Sequence, residues 1–495
     1  MAISFSFQED RDCDDADARD RRALRLPDRY RSRARRSMQA RPDLSGVHLR
    51  PVREGARLRG EEGRRLGLGD RCGHAAGIPI HGESPNVEVH AMKAVVFHGV
   101  GDIRLEDVED PRIEEPTDAV VRITASSICG TDLHMVRGTL TGMKPGTVLG
   151  HEGVGVVEEL GDDVRNLKVG DRVLIASTIA CGDCAYCREG YFAQCDRANP
   201  NGPQAGTAFF GGPETSGPFQ GLQAERARIP FANVGLVKLP DSISNEQAIL
   251  LSDILPTGWM AAELAEIKDG DTVAVFGCGP VGQAAIAAAR HRSAGRIFAV
   301  DNVTTRLEMA RALGAEVIDF SDEDPVEQIR RLTDGIGVDR AIDAVGIDAK
   351  HPRSGSALDD AMEHKEEYRK EVAEIAPEQN RQFWSWRPGD APTLALDWAV
   401  QSLAKAGTLA VIGVYPSTDR FFPLGYAMGK NLTINMGICN HRKYIPELVE
   451  LVRSGQLDLA PYLTEIRPLS QVIDSYKAFE RRDPYWSKVE IQPGA

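Results

Sequence analysis

The run Cys181-Gly-Asp-Cys184-Ala-Tyr-Cys187-Arg-Glu-Gly-Tyr-Phe-Ala-Gln-Cys195 places four thiols in one short segment. Two-residue gaps turn successive sulfurs toward one point, and the longer last gap brings the fourth round to close a tetrahedron. Zinc held by four thiolates keeps no open position, so the pattern predicts a structural metal site. Disulfides are the poorer reading, because such spacing in a chain with no secretory signal marks metal ligands.

A second set of groups is more scattered. Ile128-Cys129-Gly-Thr131-Asp-Leu-His134 offers a thiol, a hydroxyl and an imidazole, and Leu149-Gly-His151-Glu152-Gly153 offers an imidazole beside a carboxylate. Taken alone, each is more readily explained by packed core residues. Further on, Ala248-Ile-Leu-Leu-Ser-Asp-Ile-Leu-Pro-Thr-Gly-Trp259 sets Asp253 between apolar pairs. An ionised carboxylate taken out of water costs several kcal/mol unless it is paired or bound to a metal. Two readings stand at this point: a metal ligand, or the N-cap of a helix carrying Trp259. Trp259 itself is either a pocket wall or core.

Thr272-Val-Ala-Val-Phe276-Gly277-Cys-Gly279-Pro280-Val281-Gly282 sets Gly-x-Gly-x-x-Gly directly after an apolar strand and before a helix. Gly277 permits the tight turn, Gly279 lets a pyrophosphate approach the backbone, and Gly282 lets the helix pack close. Asp301 ends the next strand, where a carboxylate accepts from ribose hydroxyls and repels the extra phosphate of NADP; NAD is the expected cofactor.

These residues need elements to hold them. From Lys93 to about Pro240 the chain reads as short strands between turn signals, at Ala94–Phe97, Ala119–Ala125, Gly153–Glu159 and Arg172–Ile175. From Asp271 the rhythm becomes strand, glycine turn, helix, which predicts a doubly wound parallel sheet of the α/β class. Residues 349–390 are charged, contain a helix-like stretch Leu358–Ile375 and the aromatics Phe383, Trp384 and Trp386, and read as an insertion that lids the site, covers the cofactor or meets another subunit. Strand character returns at Leu409–Tyr415, and a helix is expected over Tyr444–Ser454.

The chain has 495 residues and formal charge −14. Residues 1–91 hold 18 Arg, no Lys and 15 acidic residues, with no apolar periodicity to build a core. Mixed charge argues against a nucleic-acid arm or a transit peptide, so this segment reads as a disordered or spurious extension, with the folded enzyme expected to open at Met92. Without those residues, the chain's 59 basic and 73 acidic side chains leave a body of charge −17, which disfavours nucleic acid. No apolar run of about 18 residues predicts a membrane span, and a cytoplasmic location is expected.

The order Cys-Gly-Thr-Asp-x-His, Gly-His-Glu, clustered cysteines and glycine turn resembles the zinc-dependent alcohol dehydrogenases of the medium-chain dehydrogenase/reductase family, over nearly all of 92–495. The segment Ser-Asp-Ile-Leu-Pro-Thr-Gly resembles the glutathione-independent formaldehyde dehydrogenase branch. The resemblance implies a GroES-like catalytic domain (92–256 and 416–495) and a Rossmann domain (257–415), one NAD and two zinc ions per chain. It implies that Cys129, His151 and Asp253 bind catalytic zinc, that Thr131 and His134 relay the proton, and that Glu152 approaches the metal from behind or during ligand exchange. Arg306 either touches the adenosine ribose or is plain helix surface. The expected substrate is a small alcohol or hydrated aldehyde, without glutathione. The alternatives are a polyol or threonine-type dehydrogenase, or a non-catalytic zinc protein. Dimers and tetramers are both implied.

Overall fold

The structure, a computed structural model, describes residues 91–379 and 386–494. Expectations for residues 1–90 and for Phe383 and Trp384 lie outside that range.

The apolar runs between Gly, Asp and Pro form the expected short strands. Ala119–Ile128, buried along nearly its whole length, pairs antiparallel with Gly153–Leu160, Arg226–Ile229 and Val489–Gln492. Arg172–Ile175, Leu236–Lys238 and Glu465–Pro468 complete this seven-stranded sheet, and Ala91–Gly99 forms a smaller one with Asp102–Glu109 and Thr147–Val148.

The second sheet has six strands, all parallel, in the order Glu316–Asp319, Arg296–Asp301, Thr272–Phe276, Val338–Asp343, Leu403–Val411, Thr433–Met436. Strand order reverses between Thr272–Phe276 and Val338–Asp343, and ligands bind at the carboxyl ends beside such a switch point. The period of two along each strand feeds two cores. Val273, Val275 and Ala299 face the helices Ile254–Leu264 and Pro280–His291, while Ala274, Phe276 and Val300 face Pro325–Leu332 and Leu394–Ser402. Gly258 lets the first two helices close on each other, since a Cβ there would stand 2.5 Å from Ala284.

The parallel sheet runs beyond the expected limit at residue 415. Its sixth strand is Thr433–Met436, and the chain rejoins the first sheet only at Glu465. The insertion forms two helices, Ala357–Glu363 and Lys365–Ile375, broken at His364 where one run was expected. Both lie against the cofactor-side sheet: Ala357 and Tyr368 join the core of Trp398, and Ile375 packs with Ile347.

Candidate catalytic metal site and cofactor cleft

Four buried side chains from three distant segments converge. Cys129 follows the central antiparallel strand at the N-cap of the helix Gly130–Arg137, His151 and Glu152 precede Gly153–Leu160, and Asp253 precedes the helix Ile254–Leu264. One donor atom from each lies within 4.8 Å of every other. Asp253 occupies the N-cap position yet makes no side-chain capping bond. Its Oδ2 stands 3.6 Å from Cys129 Sγ and 3.7 Å from His151 Nε2. Ligands of a tetrahedral zinc stand roughly 3.3–3.7 Å apart, so these three groups fit the ion.

The groups behind them fix their orientation. Asp132 Oδ1 lies 3.2 Å from His151 Nδ1, which leaves Nε2 for a metal, and the Cys129 N–H donates to Asp132 Oδ2 at 2.9 Å. His441 Nε2 donates to Asp253 Oδ1 at 2.6 Å. Burial alone would raise the Asp253 carboxyl, but His151 and His441 outweigh it and hold it well below the ordinary range. The Cys129 thiol is pushed up, by burial first and then by Asp253. Glu152, the fourth member of the cluster, is also paired: both of its oxygens meet Lys488 Nζ, at 2.5 and 2.6 Å, in a buried ion pair. Sequence reading missed His441 and Lys488, whose neighbours carry no motif. It also passed over Asp132, although that residue stands inside the Cys-Gly-Thr-Asp-x-His pattern.

Cys181, Cys184, Cys187 and Cys195 also bring their sulfurs within 4.8 Å of one another and form no disulfide. Without an ion the thiols divide: burial raises those of Cys181 and Cys187, while at Cys184 burial is outweighed by the backbone amides of Cys187 and Asp196, which pull the thiol down to about 7.

A cavity of about 540 Å³ joins the metal cluster to the glycine turn; Thr131 and His134 line it, as do Gly277, Gly279, Asp301 and Arg306. Gly277 has φ of 85°, and a side chain at Gly282 would strike its carbonyl. Gly279 caps the helix Pro280–His291, with Pro280 in its first turn and Val281 also facing the cavity. Asp301 accepts from the amides of Cys278, Asn302 and Val303 at 2.7, 2.7 and 2.9 Å. Arg306 reaches the glycine turn, with Nη1 3.8 Å from where a Gly279 Cβ would stand.

His134 is buried at 3% exposure, not a surface residue of its helix. Thr139 donates its hydroxyl proton to the His134 carbonyl, so His134 Nδ1–H donates to Thr139 at 2.9 Å and Nε2 remains free for proton exchange. That nitrogen lies 3.8 Å from Asp348 Oδ2, which also receives Arg137 at 2.6 Å. Trp259 is core, 4% exposed and packed near His291.

Residues 115–241 match the model of the alcohol dehydrogenase GroES-like domain and 280–361 that of the zinc-binding dehydrogenases. An uncharacterized zinc-type alcohol dehydrogenase-like protein of Bacillus subtilis is 35% identical over 406 residues, 81% of this chain and 100% of its own length. The chain belongs to the zinc-type alcohol dehydrogenases of the medium-chain dehydrogenase/reductase family. This dehydrogenase is also 39% identical, over 53% of its length and 68% of the other's, to the glutathione-independent formaldehyde dehydrogenase of Pseudomonas aeruginosa. The solved alcohol dehydrogenase of Thermus sp. ATN1 superposes with TM-score 0.65 at 33% identity, covering 81% of this chain and 99% of that one. The dehydrogenase therefore has a GroES-like β-rich domain and a Rossmann sheet. Among its described residues no helix is long and apolar enough to cross a membrane.

Proposed function

We propose that the enzyme oxidises a small alcohol or hydrated aldehyde of the formaldehyde class, with NAD as acceptor and without glutathione. The observation that carries this reading is the approach of Asp253 to Cys129 and His151, three donors that would hold a tetrahedral zinc and leave its fourth position to substrate. When bound, zinc supplies a Lewis acid for the substrate oxygen and the nicotinamide supplies the hydride acceptor.

The chain's own residues do the rest. Cys129, His151 and Asp253 hold the catalytic ion, and Cys181, Cys184, Cys187 and Cys195 hold a structural one. The Thr131 hydroxyl and His134 Nε2, both on the cavity, take the proton that leaves the substrate, and Asp348 steadies the imidazolium so formed. Lys488 keeps Glu152 neutralised, so that its charge is spent behind the metal. Gly277 makes the tight turn while its own amide is held by the Val300 carbonyl, Gly279 and Gly282 let a pyrophosphate come close to the start of the following helix, and Pro280 and Val281 open that helix. Arg306 and Arg482 both line this cavity, and two guanidiniums so placed favour an anion between them. Asp301 meets the adenosine ribose and selects NAD over NADP.

The test is NADH formation by the full chain with formaldehyde, with and without glutathione, beside primary, secondary and polyhydric alcohols, repeated with NADP. Turnover of formaldehyde alone supports the reading. Turnover confined to polyols or to threonine would replace the substrate class while leaving the metal assignment in place, and a preference for NADP would overturn the role of Asp301.

A further inference from the structure

His441 lies 188 positions from Asp253 in sequence, yet its ring is buried at 4% exposure with Nε2 only 2.6 Å from Asp253 Oδ1. On its other side, Nδ1 stands 3.2 Å from the buried Thr178 Oγ1. His441 begins the helix His441–Arg453, and the residue before it, Asn440, accepts from the Ala193 amide at 2.9 Å, inside the loop of the four clustered cysteines. The imidazole is thus held from two directions before it meets the carboxylate.

A carboxylate has two oxygens and ligates through one or both. At Asp253 the two are already distinguished. Oδ1 takes a short hydrogen bond from His441 at 2.6 Å and a long one from the Thr257 hydroxyl at 3.4 Å, and Oδ2 faces the Cys129 sulfur and His151 Nε2 at 3.6 and 3.7 Å. An aspartate without that partner can turn about its Cα–Cβ and Cβ–Cγ bonds, either to present both oxygens to the metal or to cap its own helix, where it already occupies the N-cap position.

We propose that His441, braced by Thr178, is the positioning residue that commits Asp253 Oδ2 to the catalytic metal and keeps the carboxylate a one-oxygen ligand, so that the fourth position stays free for substrate. This rests on Asp253 being the third ligand. Partners of this kind are worth about 10–100-fold in metal affinity.

The test measures zinc affinity against a chelator, and the visible absorption of cobalt in the catalytic site, for full-length His441→Ala, His441→Gln and Thr178→Val. Loss of 10–100-fold in zinc affinity with an altered cobalt spectrum is expected for His441→Ala. The amide N–H of His441→Gln recovers most of both, and Thr178→Val moves both in the same direction by a smaller factor. Recovery in the Gln variant is what a merely structural role would not give. Should His441→Ala and His441→Gln fail to fold, Thr178→Val decides alone, and an unchanged affinity and spectrum overturn the proposal. Asp253→Asn separates the two levels of the argument. If it loses one zinc per chain while the His441 variants match wild type, His441 has no positioning role. If it keeps both zinc ions, the assignment of Asp253 itself falls.

Discussion

At Asp253 two demands compete, since a helix start wants a capping carboxylate and an incomplete metal site wants a third anion or imidazole. The geometry favours the second, for the side chain turns from the helix amides toward Cys129 and His151. Asp253→Asn keeps a capping side chain but loses the anion. We expect zinc to fall from about two per chain to about one, and kcat/KM to fall on the order of a thousandfold with little change in thermal midpoint. Metal analysis beside a melting curve checks this, and full zinc content with normal turnover would return Asp253 to a capping role. Asp348 offers a test of the proton path. Burial lowers the His134 pKa, Arg137 lowers it further, and Asp348 is the group that opposes them. Removing that carboxylate in Asp348→Asn lowers the pKa again, so the acid limb of the kcat/KM profile moves to lower pH while kcat/KM falls about tenfold. A limb that stays put, or moves up, would take His134 out of the reaction.

At the scale of elements, much of the molecule was legible because local rules set it. The strand-turn-helix of Thr272–His291 follows from an apolar run, three glycines and Pro280, and the cysteine loop follows from ligand spacing alone. The groups behind the metal were not legible, because Lys488 meets Glu152 across 336 positions and His441 meets Asp253 across 188, and such pairings leave no local pattern. The end of the parallel sheet was misplaced for a different reason: Thr433–Met436 is as short as Arg172–Ile175 but lacks its buried apolar run, being exposed or half-buried throughout. The cysteine loop can be tested directly. Cys184→Ser should remove about one zinc per chain, and a full complement by metal analysis would contradict a structural site there. The insertion carries a different expectation. In its helix Lys365–Ile375, Glu371 is 2% exposed and both of its oxygens accept from Thr393, at 3.1 and 3.0 Å. Burial, then Asp397 and Glu367, raise its pKa to about 7 against that hydroxyl. A carboxyl whose folded pKa is raised stabilises the fold fully below its unfolded pKa and loses that contribution as pH climbs through the folded value. The wild type should therefore lose up to about 3 kcal/mol between pH 5 and 8 at this residue. Glu371→Gln removes the dependence, and thermal midpoints of the two proteins should diverge as pH rises through 7. Parallel midpoints across that range would show that Glu371 ionises freely in the fold.

At the scale of the whole molecule, two sheets share one cleft, and among the described residues both edge strands of the parallel sheet, Glu316–Asp319 and Thr433–Met436, have no partner on their outer side. Thr433–Met436 is its last strand, and the outer edge of such a strand presents unpaired amides and carbonyls. Soluble proteins usually guard an edge with charge, a proline or a bulge, yet Leu432 to Asn440 contains no charged residue and no proline. Large side chains exposed nearby include Leu424, Tyr426, Met428, Met436 and Ile438, the last two also on the rim of the cavity. A second copy related by a two-fold axis would set this strand antiparallel to itself, satisfy its backbone groups and cover these side chains, with no like charges from the strand meeting across the axis. We therefore expect the full chain to sediment as a dimer or a higher even oligomer. Met436→Lys combined with Ile438→Lys places four like charges across that axis and should shift the protein toward monomer, leaving each chain's zinc content at the wild-type value because neither side chain is a ligand. Sedimentation velocity over a range of concentrations decides it. A wild type that stays monomeric at all of them, or a double variant with unchanged association, would mean that this edge faces water in the working enzyme.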